Sequence, residues 1–317
     1  MASRPLGSSG LEVSALSVGS WQTFEHLPRE TGIAILATAR DAGIGFFDDA
    51  RYDDRTGAAP MATGYSEVVF GEIFRGAGLK REATVVANKL WWEFWPEQSA
   101  AQELEASLGR MGFDYVDLIY ANPPPKGLSV AELVGAVAEL VSSGKARAWG
   151  IVNWPAALIA EAAGAAGGSA PALCAAQLPY SLVQRSPVED EDMVHVLRAG
   201  GIPVVASFVL AGGALTGKYR PGDERSGQAS GGRVAARLHD PSLRPALSAG
   251  EQLRALADEA GTTPAAMAIA WTLSNPDVAS VLFGATSPAQ VLQNAAAPDL
   301  LSSMDADLLA RLRQIGP

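Results

Sequence analysis

GIGFFDDARYDD, residues 43–54, runs an apolar segment straight into Asp48 and Asp49, then Arg51, Tyr52 and two more aspartates. Isoleucine and phenylalanine bounded by glycine read as a buried strand. Polar groups crowded at its end read as side chains delivered to one place. ATVVANK, 83–89, has the same form and ends on Lys89, in a chain whose lysines are Lys80, Lys89, Lys126, Lys145 and Lys218. Working outward, further strand candidates are ALSVGSW (15–21), YVDLIYAN (115–122), ARAWGIVN (146–153), ALCAAQ (172–177), IPVVAS (202–207) and VASVLFG (278–284).

Helical patterns fill the gaps. Ser129 precedes Val130, Leu133, Val134, Val137, Leu140 and Val141 at helical spacing, with Glu132 placed for a capping box and Gly144 placed to end the helix. Leu104, Leu108 and Met111 mark the inner face of the preceding helix, and Ser287, Pro288 and Gln290 form a start signal for a late one. Alternating strands and helices predict a parallel sheet wrapped by helices. Eight such units in 317 residues predict an α/β chain forming one (β/α)8 TIM barrel, whose usual size is roughly 250 residues. No composition break suggests a second domain, so residues 1–317 are expected to form one unit. The glycine-rich, charged stretch 220–240 predicts a long loop after the seventh strand.

The net charge of −10, without a Lys/Arg block, argues against nucleic-acid or anionic-membrane surfaces and for a small-molecule partner. The single cysteine, Cys174, and the lack of an apolar leader predict a cytoplasmic setting. The uncharged run 199–217 contains Pro203 and several glycines, so it reads as a buried strand and a loop rather than a membrane helix. The helix faces leave oligomeric state open.

In such barrels ligands sit where the strands end. Asp48, Lys89, Asn122, Asn153, Gln177 and Ser207 each close a predicted strand and are expected to share one mouth. An ammonium beside an aspartate and a tyrosine can stabilise phenolate, lowering the phenol's pKa from about 10 toward general-acid strength. The expected arrangement is Asp48 orienting Lys89, and Lys89 tuning Tyr52. A second reading of the aspartates, as the paired carboxylates of a glycosidase (Asp48 with Asp49, Asp53 or Asp54), leaves Lys89 unexplained.

These residues resemble the aldo-keto reductase superfamily nearly end to end. LGSSGLEVSALSVGSW is similar to its opening β-hairpin and first strand, GIGFFDDA to its aspartate motif, and GYSEVVFGEIF, LTGKY and GATSPAQVLQN to further segments. ANPPP after the fourth strand resembles the branch of potassium-channel β subunits and their bacterial relatives. The resemblance implies a barrel with an N-terminal hairpin and long active-site loops, acting as an NADPH-dependent oxidoreductase on a carbonyl substrate. It implies Asp48, Tyr52, Lys89 and Asn122 as the catalytic tetrad, with Tyr52 as proton donor and no metal. It implies Trp21, Asp48, Asn153, Gln177, Ser207, Phe208, Leu210, Gly212, Lys218, Arg225, Gly284, Thr286, Gln290, Gln293 and Asn294 as the residues holding NADPH (NADP+). A regulatory module that holds the cofactor with slow turnover is the alternative.

The sequence departs from the family in four places. Tyr52 follows Asp48 by four residues instead of five, Asn122 stands where histidine is common, Val152 replaces a serine, and Ser207 replaces a stacking aromatic. Tyr65 is the other tyrosine near the aspartate motif. Trp21, Trp91, Trp92, Trp95 and Trp154, with Phe94, follow strand ends and are expected to give an aromatic substrate pocket. His26, His195 and His239 lie outside the tetrad and read as structural.

Overall fold

The computed structural model describes residues 1–316 apart from Arg55, 167–170 and 220–239. Nearly all of the predicted loop at 220–240, with Arg220, Arg225, Arg233 and His239, therefore lies outside the described residues.

The chain opens with an antiparallel hairpin, β1 (Ser3–Pro5) and β2 (Glu12–Ser14). Alternation then begins: β3 (Leu16–Gly19), α1 (Arg29–Asp41), β4 (Phe46–Asp48), α2 (Tyr65–Gly76), β5 (Val85–Leu90), α3 (Ala100–Met111), β6 (Val116–Ala121) and α4 (Val130–Ser142). It continues through β7 (Ala146–Val152), α5 (Ala156–Ala165), β8 (Leu173–Pro179), α6 (Ser186–Glu189), α7 (Glu191–Ala199) and β9 (Val204–Ser207). The last part holds α8 (Arg244–Glu259), α9 (Pro264–Leu273), β10 (Val278–Phe283), α10 (Pro288–Ala295), α11 (Ala297–Ser303) and α12 (Ala306–Arg313). Strands β3 to β10 close a parallel barrel in the order β10-β3-β4-β5-β6-β7-β8-β9, a (β/α)8 TIM barrel with a small hairpin before it.

Local chemistry explains the boundaries. Ser129 and Glu132 make the capping box of α4, and Ser99 with Gln102 makes another on α3. Ser287 caps α10 by accepting from Gln290 N–H, with Pro288 in the first turn. The uncharged run 199–217 becomes the end of α7, then β9, then a tight turn in which Gly212, Gly213 and Gly217 take positive φ. Among the described residues no helix is long and apolar enough to cross a membrane.

Side chains alternate across each strand, and this divides the core in two. Phe47, Val86, Ile119, Trp149, Ile151 and Ala176 face the helices, while Phe46, Ala87, Leu118, Tyr120, Ala148 and Ala175 fill the barrel. Leu6, Leu11 and Val13 of the hairpin belong to the inner cluster. Arg4 Nη1 donates to Val278 O at 2.6 Å, at the start of β10, so the hairpin plugs the end where strands begin. Two residues beyond Phe46, Ala87 and Ala175 on the same inner face come Asp48, Lys89 and Gln177. Period and register together therefore send these polar groups to the open end.

Candidate active site

Lys89 Nζ sits at the centre of that end. It donates to the Asp48 carboxylate at Oδ1 and lies 3.2 Å from the Tyr52 hydroxyl. Gln177 Nε2 donates to the other oxygen, Asp48 Oδ2, at 2.9 Å. Asp48, Lys89 and Tyr52 are buried to 2%, 5% and 8% exposure, which makes the ion pair a rigid fixture rather than a solvated contact.

The Tyr52 phenol has its pKa raised well above 10, first by burial and next by the Asp48 charge, with Glu25 and Glu67 adding to it. This reverses the expectation that Lys89 lowers it. Asp48 neutralises the ammonium, and burial then disfavours phenolate. The group held there is a protonated phenol.

How Tyr52 reaches Lys89 from a position one residue early is visible in the loop. Ser66 Oγ donates to Ala50 O at 2.7 Å and accepts from Tyr52 N–H at 3.3 Å, while Gly64 N–H donates to Tyr52 O at 2.9 Å. Asp53 pairs with Thr63 in an antiparallel bridge, so the intervening loop folds back on itself. Within it Asp54 is drawn down to about 2 by the N–H groups and hydroxyl of Ala59 and Thr56. Tyr65 is turned away, its hydroxyl accepting from Arg29 Nη2 at 2.8 Å. Among the described residues, Asp48 shares no cleft with Asp49, Asp53 or Asp54 in the way a glycosidase needs. Asp49 accepts from Ser20 behind the strand, Asp53 is exposed and Asp54 is used by its own loop.

The mouth is lined by strained backbone. Gln22, Trp92, Asn153 and Phe208, which follow β3, β5, β7 and β9, all take positive φ. Non-glycine residues held there cost on the order of 1–3 kcal/mol and gather at functional sites.

Comparison with known proteins agrees with this geometry. The family model described as Aldo/keto reductase family matches residues 15–316. The chain belongs to the aldo/keto reductase family. Members of this family are oxidoreductases. The chain is 33% identical over 329 residues to a "Probable voltage-gated potassium channel subunit beta" of Arabidopsis thaliana, covering 99% of this chain and 96% of that one. It is equally 33% identical, with the same coverage, to a protein of that name from Oryza sativa subsp. japonica.

Against the aldo/keto reductase pattern, the remaining predicted residues fall as follows. Asn122 is half-buried at the rim, its Nδ2 donating to Leu90 O at 3.0 Å. Asn153 is exposed, its backbone N–H on Gln177 O at 3.0 Å. Ser207 is buried to 9% exposure, and the next residue, Phe208, is 48% exposed with its ring 5.3 Å from that of Trp21. Leu210 and Gly212 enter the turn after β9, and exposed Lys218 lies over the Tyr219 ring at 4.9 Å. Gly284 and Thr286 are exposed before α10, and Thr286 N–H donates to Gln290 Oε1 at 2.8 Å. Gln293 is exposed on α10, whereas Asn294 is 3% exposed. His26 and His195 lie on the 3-10 turn Phe24–His26 and on α7.

The aromatic pocket needs correction. Trp92 and Trp154 are only 3% and 1% exposed, with indole N–H groups donating to Asn122 O and Ala121 O at 3.1 and 2.9 Å. They brace the strand ends and present almost no ring surface to a ligand. Trp95 packs its edge on Trp92 at 6.4 Å, and Trp91 sets its ring edge-on to Tyr52 at 6.0 Å.

Two supports escaped sequence reasoning. Glu103, buried on α3, accepts from Trp91 and Trp92 N–H at 2.7 and 3.2 Å and so fixes the turn after β5. The signal was its place beside Leu104 on the inner helix face. Arg51, 8% exposed, donates to Thr63 Oγ1 at 2.7 Å, pairs with Glu93 and lies over Phe94 at 5.4 Å, so it ties the loops on both sides of Tyr52. Nothing in its local sequence marks it.

Proposed function

We propose that this chain is an NADPH-dependent reductase of aldehydes or ketones. One observation carries the reading: a single buried ammonium, Lys89, contacts both the Asp48 carboxylate and the Tyr52 phenol at the open end of the barrel. A bound reduced nicotinamide supplies the hydride in such chemistry. The chain's own residues manage the proton. Tyr52, kept protonated by burial, donates its hydroxyl proton to the substrate's carbonyl oxygen as charge develops there. The Lys89 ammonium stabilises the phenolate that remains, and Asp48, held by Lys89 and Gln177, keeps that ammonium aimed. Asn122 presents its amide at the rim as a further partner for the carbonyl oxygen.

The residues fit such a cofactor. Exposed Asn153, with Gln177 below it, offers donor and acceptor atoms to a carboxamide. The turn after β9, where Gly212 and Gly213 take φ of 68° and 110°, leaves backbone approachable, and exposed Lys218 supplies charge for a pyrophosphate. The first turn of α10, with exposed Thr286 and half-buried Gln290 at its edge, suits the phosphate of the adenosine end. Trp21, Trp91 and Phe208 are the aromatic surfaces that favour a flat or bulky carbonyl substrate. We place this activity in the cytoplasm.

A second reading rests on other observations. The Asn122 amide already donates to Leu90, Ser207 replaces the stacking aromatic, and the relatives are named as potassium-channel subunits. These favour a module that holds NADPH and turns over slowly while bound to a membrane partner. Titration of the purified protein with NADPH and NADH, followed by absorbance-monitored turnover on varied aldehydes and ketones, separates the two. Turnover that disappears in Tyr52→Phe while NADPH affinity stays supports the reductase. Stoichiometric NADPH with no oxidation across the panel supports the module. Absence of dinucleotide binding rejects both.

A further inference from the structure

Three buried carboxylates lie about the end of β4: Asp48 on its inner face at 2% exposure, and Asp49 behind it with Glu67 of α2, both at 0%. Counting charges shows that two are matched and one is not. Lys89 is bonded to Asp48. Arg110 Nε lies 2.5 Å from Glu67 Oε2, whose other oxygen accepts from Asn88 Nδ2 at 2.9 Å. Asp49 makes no ion pair among the described residues. Its Oδ1 accepts from the Ser20 hydroxyl, and its Oδ2 is buried with no hydrogen-bond partner. A lone anion in that place would lack both water and a cation, whereas a carboxylic acid lacks only one hydrogen bond.

We infer that Asp49 is a neutral, protonated acid at neutral pH, and that its ionisation sets the alkaline limit of proton donation by Tyr52. Ser20 at the end of β3 bonds it, Glu67 on α2 and Lys89 on β5 act on it through their charges, Asp48 precedes it in the chain, and Tyr52 lies in the following loop, with Arg110 of α3 engaged by Glu67. Burial first, and the Glu67 charge second, push the Asp49 carboxyl well above its usual range, opposed less strongly by Ser20, the Ala50 backbone and Lys89. While Asp49 is neutral, the site balances one carboxylate, Asp48, against one ammonium, Lys89. Once Asp49 loses its proton to solvent, an extra negative charge opposes the phenolate that Tyr52 must become. Asp49 is thus a positioning residue for charge, acting through Tyr52. This role rests on the carbonyl-reductase reading; the protonation state does not.

Infrared spectroscopy of the full chain tests it without turnover. The wild type at neutral pH is expected to show the carbonyl stretch of a protonated carboxylic acid that disappears on alkalinisation. That band is lost in Asp49→Asn and Asp49→Thr and kept in Glu67→Gln. Wild-type and Asp49→Asn spectra that coincide in this region overturn the inference. In a second arm, the alkaline limb of kcat moves to higher pH in Asp49→Asn, because the ionisation that imposed it is gone and only the higher titration of the Tyr52 phenol remains. An unmoved limb overturns the tuning role. A wild type that reduces no carbonyl defeats the reductase reading alone, and the infrared arm still decides the state of Asp49.

Discussion

Lys89 donates to Asp48 and to Tyr52 at once, so what it gives to one it withholds from the other. Burial raises the Tyr52 phenol first, and the Asp48 charge, which offsets the ammonium's field there, raises it further, so the pKa rises instead of falling. Two substitutions separate these effects. Lys89→Met leaves the phenolate without a cation and is expected to lower kcat by about 10²–10⁴-fold, the range for losing acid–base assistance. Asp48→Asn removes the second largest cause of the raised phenol and frees the Lys89 charge. The phenol's own titration, followed by ultraviolet difference absorbance, then shifts to lower pH, even though kcat falls because Lys89 is less firmly aimed. A phenol titration that moves upward in Asp48→Asn would contradict the proposed charge balance.

The elements show what the sequence could and could not tell. Strands were legible because a two-residue period with an inner polar residue at the end has few other readings. Asp48, Lys89 and Gln177 follow directly from it. Helix starts were legible from Ser129, Glu132 and Ser287 because a cap is a local hydrogen bond. Loop packing was not, since it depends on partners distant in sequence. Trp92 and Trp154 turn inward to reach backbone carbonyls 30 and 33 residues away, and Arg51 reaches Glu93 across 42 residues. Arg51 yields the prediction at this scale. Its ion pair is half exposed on the Glu93 side, so Arg51→Met is expected to cost at most about 1 kcal/mol of stability. Carbonyl turnover should fall more, on the order of tenfold, because unclipping the two loops lets the Tyr52 hydroxyl drift from its aim. Chemical denaturation beside steady-state kinetics checks this: a loss of stability with unchanged turnover would make Arg51 a purely structural tie.

At the scale of the molecule, the barrel is open at the end that carries Lys89 and stoppered at the other by the hairpin. Gly7 is the tight point of the stopper. It sits at φ +55°, and a Cβ built there would lie 2.7 Å from the Cys174 carbonyl oxygen on β8, backbone that cannot swing aside. Cys174 itself is fully buried, donates to Trp149 O at 3.0 Å, and has its thiol pushed up from 9.0 to about 12, chiefly by burial. Reagents therefore meet it only when the stopper opens, and its modification rate reads that opening. The raised thiol also fixes a sign. The unfolded chain ionises Cys174 near pH 9 while the folded chain resists to about 12, so this group withdraws stability progressively as pH climbs between those values. Gly7→Ala should force the hairpin outward, destabilise it by about 1–3 kcal/mol as overpacking does, and speed thiol modification by roughly tenfold for each 1.4 kcal/mol. The Tyr52–Lys89 contact at the opposite end should be untouched. Faster modification of Cys174 with an unchanged pH–rate profile is the expected pair of results; equal modification rates in Gly7→Ala and wild type would show that the hairpin does not guard the barrel's closed end.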